Sequence, residues 1–177
     1  MLNINLDKIT DLDFKTREAY KTLRTNVQFC GNDVKIISLT SCVPNEGKSM
    51  VSFNLAISMA ETGKKVLFID ADLRKSVLIG RYKINKAIKG LTQYLSGVEQ
   101  LDDVRYSTNV KNMDLILSGP VPPNPAELLN NEKFTKLLET ARKEYDYVII
   151  DTPPIGQVID PAIVAPVSYT HLRAHET

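Results

Sequence analysis

Hydrophobic positions along the chain fall into two alternating patterns. Short, nearly continuous apolar runs at residues 34–40, 65–70, 113–119 and 147–151 predict strands that are buried on both faces. Between these runs, apolar residues recur every three to four positions, as they do in amphipathic helices. This alternation predicts an α/β fold, in which a mostly parallel sheet carries helices on both of its faces.

Two helices are well defined by the pattern. Residues 14–29 carry one apolar stripe and many charged positions elsewhere. A second helix is predicted from about Gly47 to Glu61, and Gly63 follows it as a residue suited to a left-handed cap.

The other helical segments are less sharply defined. One or two helices are expected within residues 124–145, where either Asn124 or Asn131 is placed to cap them. Residues 76–112 form a weaker region, with one helix predicted at 91–97. Another helix is expected to start at 160–165.

Composition narrows the class of protein. The chain has 177 residues, which fits one domain. Lys plus Arg is 22 and Asp plus Glu is 21, so the net charge of +1 excludes a strongly basic nucleic-acid coat or an acidic tail but not a local charged patch, and we expect no nucleic-acid partner. Two cysteines cannot build a disulfide framework or a zinc site. No apolar run approaches the roughly 18 to 20 residues of a membrane span, and the N-terminus lacks the apolar core of a secretion signal. We therefore expect a cytoplasmic protein.

The last residues, 167–177 (VSYTHLRAHET), continue no earlier pattern. They resemble the translation of an adapter used in preparing sequencing libraries, and we set them aside as a non-native tail. Both histidines, His171 and His175, lie inside this tail, so their i, i+4 spacing is not taken as a metal site. The predicted domain is therefore residues 1–166, and we expect the natural protein to continue beyond it.

The first candidate site follows the first predicted strand, at residues 41–49 (SCVPNEGKS). A loop that joins a buried strand to a helix and ends in Gly-Lys-Ser can surround phosphate oxygens with backbone N–H groups and a helix N-terminus. Lys48 would reach the β- and γ-phosphates, and the Ser49 hydroxyl would ligate Mg²⁺. Cys42 stands where this motif usually begins with glycine, so the match is imperfect.

Carboxylates follow two other predicted strands. Asp70 and Asp72 come directly after the run at 65–70, and Asp151 closes the run at 147–151. Side chains at the carboxyl ends of parallel strands project into the crevice where open α/β sheets bind ligands. For Asp70 and Asp72, the alternative is a solvated turn with an acidic helix cap. Together with Lys48, these carboxylates predict a site for Mg²⁺-nucleotide and phosphoryl transfer.

Three motifs together resemble those of the bacterial tyrosine kinases of capsule and exopolysaccharide synthesis. They are SCVPNEGKS (41–49), VLFIDADLR (66–74) and VIIDTPP (148–154). Residues 118–129 (SGPVPPNPAELL) also resemble a loop-to-helix signature of that family, and residues 18–29 resemble its N-terminal helix. The resemblance spans about residues 14–165 and implies a P-loop fold with ATP and Mg²⁺ as cofactors.

The resemblance also implies a role for each matching residue. Lys48, Asp70 and Asp72 would be catalytic, with Asp70 favoured as the base for the attacking tyrosine, although Asp70 and Asp72 are interchangeable at this stage. Mg²⁺ would be held by Ser49, Asp72 and Asp151. Arg74 would either stabilise phosphate charge or form an outward salt bridge. The nucleotide would contact a continuous run of residues: Pro44, Asn45, Glu46, Gly47, Lys48, Ser49 and Met50.

The resemblance further implies partners. Family members assemble through a Glu-x-x-Arg-x-x-Arg helix, which here reads Glu18, Lys21 and Arg24. Lysine lacks the bidentate fork of arginine, so these residues form either a homo-oligomer contact or a solvated helix face. With no membrane span, the chain resembles the cytoplasmic form that is recruited to the inner membrane face by an activator of the polysaccharide co-polymerase type.

The substrates implied are protein tyrosines. The chain's tyrosines outside the tail are scattered, and we expect none to be the acceptor: Tyr20, Tyr82, Tyr94, Tyr106, Tyr145 and Tyr147.

Two other functions compete with the kinase. One is a switch ATPase of the septum-site or chromosome-partition (MinD/ParA-like) type, acting in membrane or DNA positioning. Those ATPases carry a signature lysine five positions before the P-loop lysine, where this chain has Val43. The other is a nucleotide-dependent scaffold with negligible turnover. The motif set favours the kinase.

Overall fold

The computed structural model describes residues 2–6, 12–31, 33–84, 88–154 and 170–173. Within them the strands are β1 (Leu2–Ile4), β2 (Ile36–Thr40), β3 (Val66–Asp70), β4 (Arg105–Thr108), β5 (Met113–Ile116), β6 (Tyr147–Asp151) and β7 (Thr170–Arg173). The helices are α1 (Phe14–Phe29), α2 (Lys48–Ala60), α3 (Leu78–Arg81), α4 (Leu91–Leu95), α5 (Leu101–Val104), α6 (Pro125–Leu129) and α7 (Glu132–Glu144).

The described strands form one seven-stranded sheet in the order β1-β4-β5-β3-β6-β2-β7. Every neighbouring pair is parallel except β4 and β5, which run antiparallel. All five positions of β2 and of β3 are buried, as expected for strands covered on both faces. The predicted mostly parallel α/β sheet is confirmed.

Helices cover both faces of this sheet. On one face, α2 packs its Phe53 ring against Phe68 of β3 and against Tyr82, with centroid separations of 5.2 and 4.6 Å. On the other face, Phe134 and Leu137 of α7 belong to a second apolar cluster with the opposite side chains of β3 and β6. Two cores on opposite sides hold the central strands rigidly, and those strands carry the candidate site.

Local signals explain where the well-predicted helices begin and end. The Asp13 side chain caps α1 by accepting from the Thr16 N–H at 3.0 Å. Helix α2 ends at Ala60, and Gly63 follows with a φ of +84°. Of the two predicted caps, Asn131 accepts from the Lys133 and Phe134 N–H groups, whereas the Asn124 side chain makes no capping hydrogen bond.

The weak region of the sequence contains more structure than its pattern indicates. Besides α4, it includes α3, α5 and strand β4. Strand β4 is held by pairing with β5 and with β1, a three-residue strand near the N-terminus that was also not predicted. These elements are short and depend on distant partners, so their own residues carry little periodic signal. The helix expected at 160–165 lies outside the described residues.

The segment set aside as a tail contributes backbone to the sheet. Residues Thr170–Arg173 form β7, which pairs in parallel with β2 at one edge. The domain boundary at residue 166 stays a prediction. No helix among the described residues is long and apolar enough to cross a membrane.

A candidate phosphate-binding site at the carboxyl edge of the sheet

Three neighbouring strands, β2, β3 and β6, end side by side at one edge of the sheet. In their register Asp151 pairs with Asp70 on one side and with Leu39 on the other. The loops that leave these strands surround a cavity of about 400 Å³. All seven residues predicted to contact a nucleotide line this cavity, together with Asp72 and three cationic side chains, Arg74, Lys75 and Arg81.

The loop between β2 and α2 has a backbone that favours anions. Asn45 and Gly47 both adopt left-handed conformations, with φ of 66° and 74°. Gly47 caps the N-terminus of α2, and its carbonyl accepts from the N–H groups of Met50 and Val51, both at 2.9 Å. The helix therefore starts at Lys48 with its N-terminal dipole directed toward the cavity that the loop lines.

The Glu46 side chain forms hydrogen bonds with the backbone of this loop. Its Oε2 accepts from the backbone N–H groups of Cys42 at 3.0 Å and Val43 at 3.4 Å. The carboxylate therefore holds the first part of the loop closed, including the position where the motif usually has glycine. Nothing in the sequence pattern indicated this use of Glu46.

Lys48 and Asp151 form a buried ion pair beneath the cavity. Lys48 Nζ lies 2.6 Å from Asp151 Oδ1 and 3.2 Å from the Ser49 hydroxyl, and the side chains of Lys48 and Asp151 are 6% and 1% exposed. The Ser52 hydroxyl donates to the same carboxylate oxygen at 3.0 Å. Since a buried charge is costly without a partner, each member of this pair stabilises the other.

The Asp70 carboxyl lies at the end of β3 and is almost fully buried. Burial, reinforced by the charges of Asp151 and Asp72, raises its pKa from 3.8 to about 7. The Ser76 hydroxyl donates to its Oδ2, and the Asp72 N–H donates to its Oδ1 at 3.2 Å. A carboxyl whose pKa is near neutrality can exchange a proton at physiological pH.

Asp72 has two roles in this structure. Its Oδ1 accepts from the N–H groups of Arg74 and Lys75, at 3.3 and 3.0 Å, so it caps the turn after β3. It also lines the cavity. The alternative considered from the sequence was a solvated turn with an acidic helix cap; here Asp72 is buried, and it caps a turn and not the helix that follows, which begins after Val77.

The structure brings the predicted site residues to one edge of the sheet. Among the described residues, no three His, Cys, Asp or Glu side chains are placed to hold a metal ion. Mg²⁺ commonly needs only one or two carboxylates when substrate phosphates complete its coordination, so these residues fit a nucleotide-dependent metal. Of the four cationic side chains that line the cavity, sequence reasoning named Lys48 and Arg74, whereas Lys75 and Arg81 belong to no recognised motif.

The residues expected at a subunit contact lie on α1. Lys21 and Glu18 pair with each other at 2.7 Å, and both are about half exposed, at 46% and 47%. Arg24 instead reaches α2, where it donates to the Ser58 carbonyl at 2.8 Å and to its hydroxyl at 3.1 Å. In this structure, Arg24 therefore links α1 to α2 of the same chain by hydrogen bonds. The oligomer contact stays a prediction.

The scattered tyrosines mostly have packing roles. Tyr82 and Tyr145 are each 2% exposed. Tyr145 donates to Asp114 Oδ2 at 2.6 Å, and burial together with this carboxylate raises the pKa of its phenol. Tyr106 donates to the Lys89 carbonyl at 3.1 Å. These hydrogen bonds hold the Tyr145 and Tyr106 hydroxyls within the domain.

The fold and this site define a P-loop nucleotide-binding domain, and comparison with known proteins identifies its family. A family profile described as AAA domain matches residues 34–168. Tyrosine-protein kinase CpsD of Streptococcus agalactiae is 50% identical over 151 residues, which cover 85% of this chain and 66% of that protein. Tyrosine-protein kinase YwqD of Bacillus subtilis is 40% identical over 166 residues, covering 93% of this chain and 70% of that protein. The chain belongs to the family of bacterial tyrosine-protein kinases, as its motifs predicted. It spans just under two thirds of the length of the streptococcal relative.

Solved structures agree with this membership. The kinase domain of the Escherichia coli tyrosine kinase ETK superposes with a TM-score of 0.88 at 36% identity, covering 98% of this chain and 69% of that chain. The septum site-determining protein MinD of Pyrococcus horikoshii, in complex with Mg-ADP, is more distant. Its TM-score is 0.67 at 25% identity, covering 79% of this chain and 57% of that chain.

Proposed function

We propose that this domain transfers the γ-phosphoryl group of Mg-ATP to protein tyrosines and thereby regulates capsular or exopolysaccharide synthesis. The observation that carries the proposal is the joint position of Lys48, Asp70 and Asp151. All three lie at the carboxyl edge of three adjacent strands, beside a 400 Å³ cavity lined by the phosphate loop. Membership of the tyrosine-kinase family supports the choice of acceptor.

Binding of the triphosphate relies on the loop and on Lys48. The left-handed backbone at Asn45 and Gly47 and the α2 N-terminus supply N–H groups for phosphate oxygens. Lys48 supplies a positive charge to the β- and γ-phosphates, which requires its ammonium to leave Asp151 or to share it. The lining residues from Pro44 to Met50 form the rest of the phosphate contact.

Ser49, Asp72 and Asp151 would hold Mg²⁺ together with phosphate oxygens. When bound, the metal neutralises charge that develops on the transferring phosphoryl group. In the structure, the Ser49 hydroxyl is close to Lys48 Nζ, which itself contacts Asp151. Two of the three proposed metal ligands, Ser49 and Asp151, therefore lie next to Lys48, which supports a shared Mg-phosphate site.

Phosphoryl transfer then needs a base for the phenol. The tyrosine oxygen forms a bond to the γ-phosphorus, the bond from that phosphorus to the bridging oxygen breaks, and its electron pair leaves with ADP. The phenolic proton passes to the Asp70 carboxylate. A phenol has an ordinary pKa of about 10, and the pKa of Asp70, raised to about 7, makes it a better acceptor for this proton than an ordinary carboxylate.

The partners belong to the same proposal. We infer that a membrane activator of the polysaccharide co-polymerase type recruits the domain to the inner face of the membrane. We also infer that copies associate through the α1 surface that carries Glu18 and Lys21, while Arg24 orients α1 on α2. The half-exposed Glu18–Lys21 pair supports a polar contact there. The net charge of +1 argues against nucleic acid.

The test combines ATP binding with transfer. We expect Mg-ATP to bind by isothermal titration calorimetry, and mass spectrometry to find phosphotyrosine on an added tyrosine peptide. Lys48→Met should abolish labelling, whereas Lys111→Met, a change at an exposed lysine far from the loop in sequence, should not. Equal labelling by Lys48→Met would contradict the role of Lys48. ATP hydrolysis without any transfer would favour a switch ATPase.

A further inference from the structure

The Ser52 side chain is a buried hydroxyl beneath the phosphate loop, one turn along α2 from Lys48. Because residues four positions apart in a helix project from the same face, Lys48 and Ser52 are directed toward the same strand, β6. There they reach the same atom: Lys48 Nζ lies 2.6 Å from Asp151 Oδ1, and Ser52 Oγ lies 3.0 Å from it. The Asp151 carboxylate is therefore held by one charged donor and by one neutral donor on a single oxygen.

The Ser52 hydroxyl has two acceptors within reach. Its Oγ lies 3.1 Å from the Ser49 carbonyl oxygen as well as 3.0 Å from Asp151 Oδ1. A hydroxyl carries one proton, which rotates toward the better acceptor. The Ser49 carbonyl is neutral, whereas Asp151 is a buried carboxylate, and hydrogen bonds to charged groups are the stronger ones. The proton is therefore available to Asp151 whenever the carboxylate has no cation beside it.

Packing alone does not account for a hydroxyl at this position. The residues that follow Ser52 in α2 are buried and mostly apolar, among them Phe53, Leu55 and Ala56. A polar group in such surroundings costs free energy unless it is hydrogen-bonded. An alanine would fill nearly the same volume without that cost. The hydrogen bond to Asp151 is therefore the contact that distinguishes serine from alanine here.

From these observations we propose that Ser52 is a positioning residue, which keeps Asp151 hydrogen-bonded when Lys48 leaves it for the nucleotide phosphates. Lys48 is 6% exposed and paired with Asp151, so its ammonium reaches phosphate oxygens only by giving up or sharing that partner. A buried carboxylate that loses its partner is strongly destabilising. Ser52 lowers this cost because its hydroxyl already donates to the same oxygen. The inference rests on the proposed nucleotide site, but it can be tested without nucleotide.

The first experiment removes the hydroxyl and the lysine separately and together. Urea unfolding without nucleotide or metal is measured for Ser52→Ala, for Lys48→Met and for the double variant. In the wild-type background, Ser52→Ala should raise the unfolding equilibrium constant about fivefold, since Lys48 still neutralises Asp151. In the Lys48→Met background, it should raise that constant about fiftyfold or more, because the hydroxyl is then removed from a buried charge that has already lost its ion-pair partner.

The matched control is another buried serine of the same helix. Ser58 is 5% exposed, and its hydroxyl accepts from Arg24 Nη1 at 3.1 Å. It lies about 9 Å further along α2 than Ser52, away from the Lys48 pair. Ser58→Ala should therefore change the unfolding constant by the same factor in both backgrounds, within about twofold. If Ser52→Ala also has equal effects in the two backgrounds, its hydroxyl is only a local helix contact and the proposal is wrong.

A second measurement uses binding and does not require the Lys48→Met variant to fold. Isothermal titration calorimetry gives the Kd of ADP in the presence of EDTA, so that no metal ion compensates the Asp151 charge. Ser52→Ala should weaken this Kd about tenfold, because the departure of Lys48 then leaves the carboxylate without its hydroxyl donor. In an Asp151→Asn background, Ser52→Ala should change the Kd by less than about twofold, since no buried charge is left to hold. Equal effects in these two backgrounds, large or small, would contradict the proposal.

The two proposals fail separately. If the chain phosphorylates tyrosine and the effects of Ser52→Ala do not depend on the background, the kinase function stands and Ser52 has no positioning role. If the effects depend on Lys48 and Asp151 as predicted but no phosphotyrosine forms, the positioning role stands and the kinase proposal fails.

Discussion

The Lys48 ammonium lies 2.6 Å from Asp151 Oδ1, and neither side chain is more than 6% exposed. Lys48 and Asp151 thus neutralise each other in this structure. In the proposed function, Mg-ATP would bring both a cation for Asp151 and anions for Lys48. Binding would then exchange one set of charge partners for another without leaving either charge unpaired in the interior.

This pairing predicts how the ion pair contributes to stability. Lys48→Met leaves the Asp151 charge buried beside Asp70 and should lower the free energy of unfolding by about 3 to 5 kcal/mol. Adding Asp151→Asn to Lys48→Met removes the unpaired charge and should recover much of that loss. Urea unfolding without nucleotide measures both variants. A double variant that is no more stable than Lys48→Met would show that the two charges are not coupled.

The pKa of Asp70 predicts a dependence of stability on pH. It is raised to about 7 in the folded protein, above the ordinary 3.8, so the folded state retains a proton that the unfolded chain has already lost. The stabilisation that this retained proton gives the folded state is fully present below about pH 4 and is lost as pH rises through about 7. Asp70→Asn removes the titrating carboxyl and therefore the loss of stability between these pH values. Its melting temperature relative to wild type should therefore be several degrees more favourable at pH 8 than at pH 4.

The control for this prediction is Asp33→Asn, because Asp33 is exposed and outside the site. Thermal melts without metal or nucleotide should show no comparable change between the two pH values for that variant. If the Asp70→Asn difference is the same at pH 4 and pH 8, Asp70 does not hold a proton in the folded protein.

The contact between Gly90 and the loop at 117–119 predicts a strong effect of one methyl group. Gly90→Ala would place its Cβ 2.3 Å from the Gly119 nitrogen, so backbone must move, at a cost of about 1 to 3 kcal/mol or more. Gly80→Ala is the matched control, since a Cβ there meets nothing within 4 Å. It should be neutral or slightly stabilising within helix α3. Chemical denaturation that ranks the two variants equally would contradict the close approach.

The helix caps provide a paired prediction. Asn131→Ala removes a side chain that accepts from two N–H groups at the start of α7, and should cost about 1 kcal/mol. Asn124→Ala removes no capping bond and should cost less than about 0.5 kcal/mol. The unfolding free energies of the two single variants test this prediction. A larger loss of stability for Asn124→Ala than for Asn131→Ala would contradict the assignment of Asn131 as the cap.

Much of this architecture could be predicted because its signals are local. Strands β2, β3, β5 and β6 are continuous apolar runs, and each motif residue follows such a run, so the position of Lys48, Asp70 and Asp151 at one edge of the sheet followed from parallel strand direction, whereas the adjacency of β2, β6 and β3 is known only from the structure. The unpredicted parts depend on distant contacts. Strand β4 exists through its pairing with β1 and β5. The Glu46 carboxylate inside the loop and the position of Arg81 at the cavity have no signature in the sequence.

The pairing of Asp70 with Asp151 across two neighbouring strands also could not be predicted from the sequence. The motifs placed Asp70 and Asp151 at the same edge, but the register that sets them directly opposite each other is a property of the assembled sheet. Burial, and secondly the charge of Asp151 that this register places beside it, raises the pKa of Asp70. The chemical character of the proposed base thus comes from the fold and not from its motif.

The most direct test of the central claim is the ratio of phosphotyrosine formed to ADP released. The purified chain is incubated with Mg-ATP and a tyrosine peptide, and both products are quantified over the same interval. The account predicts that phosphotyrosine accounts for most of the ADP and that Asp70→Asn lowers its rate of formation by about 100-fold or more, as expected for loss of a general base. ADP release with no phosphotyrosine would contradict the account and identify the site as that of an ATPase.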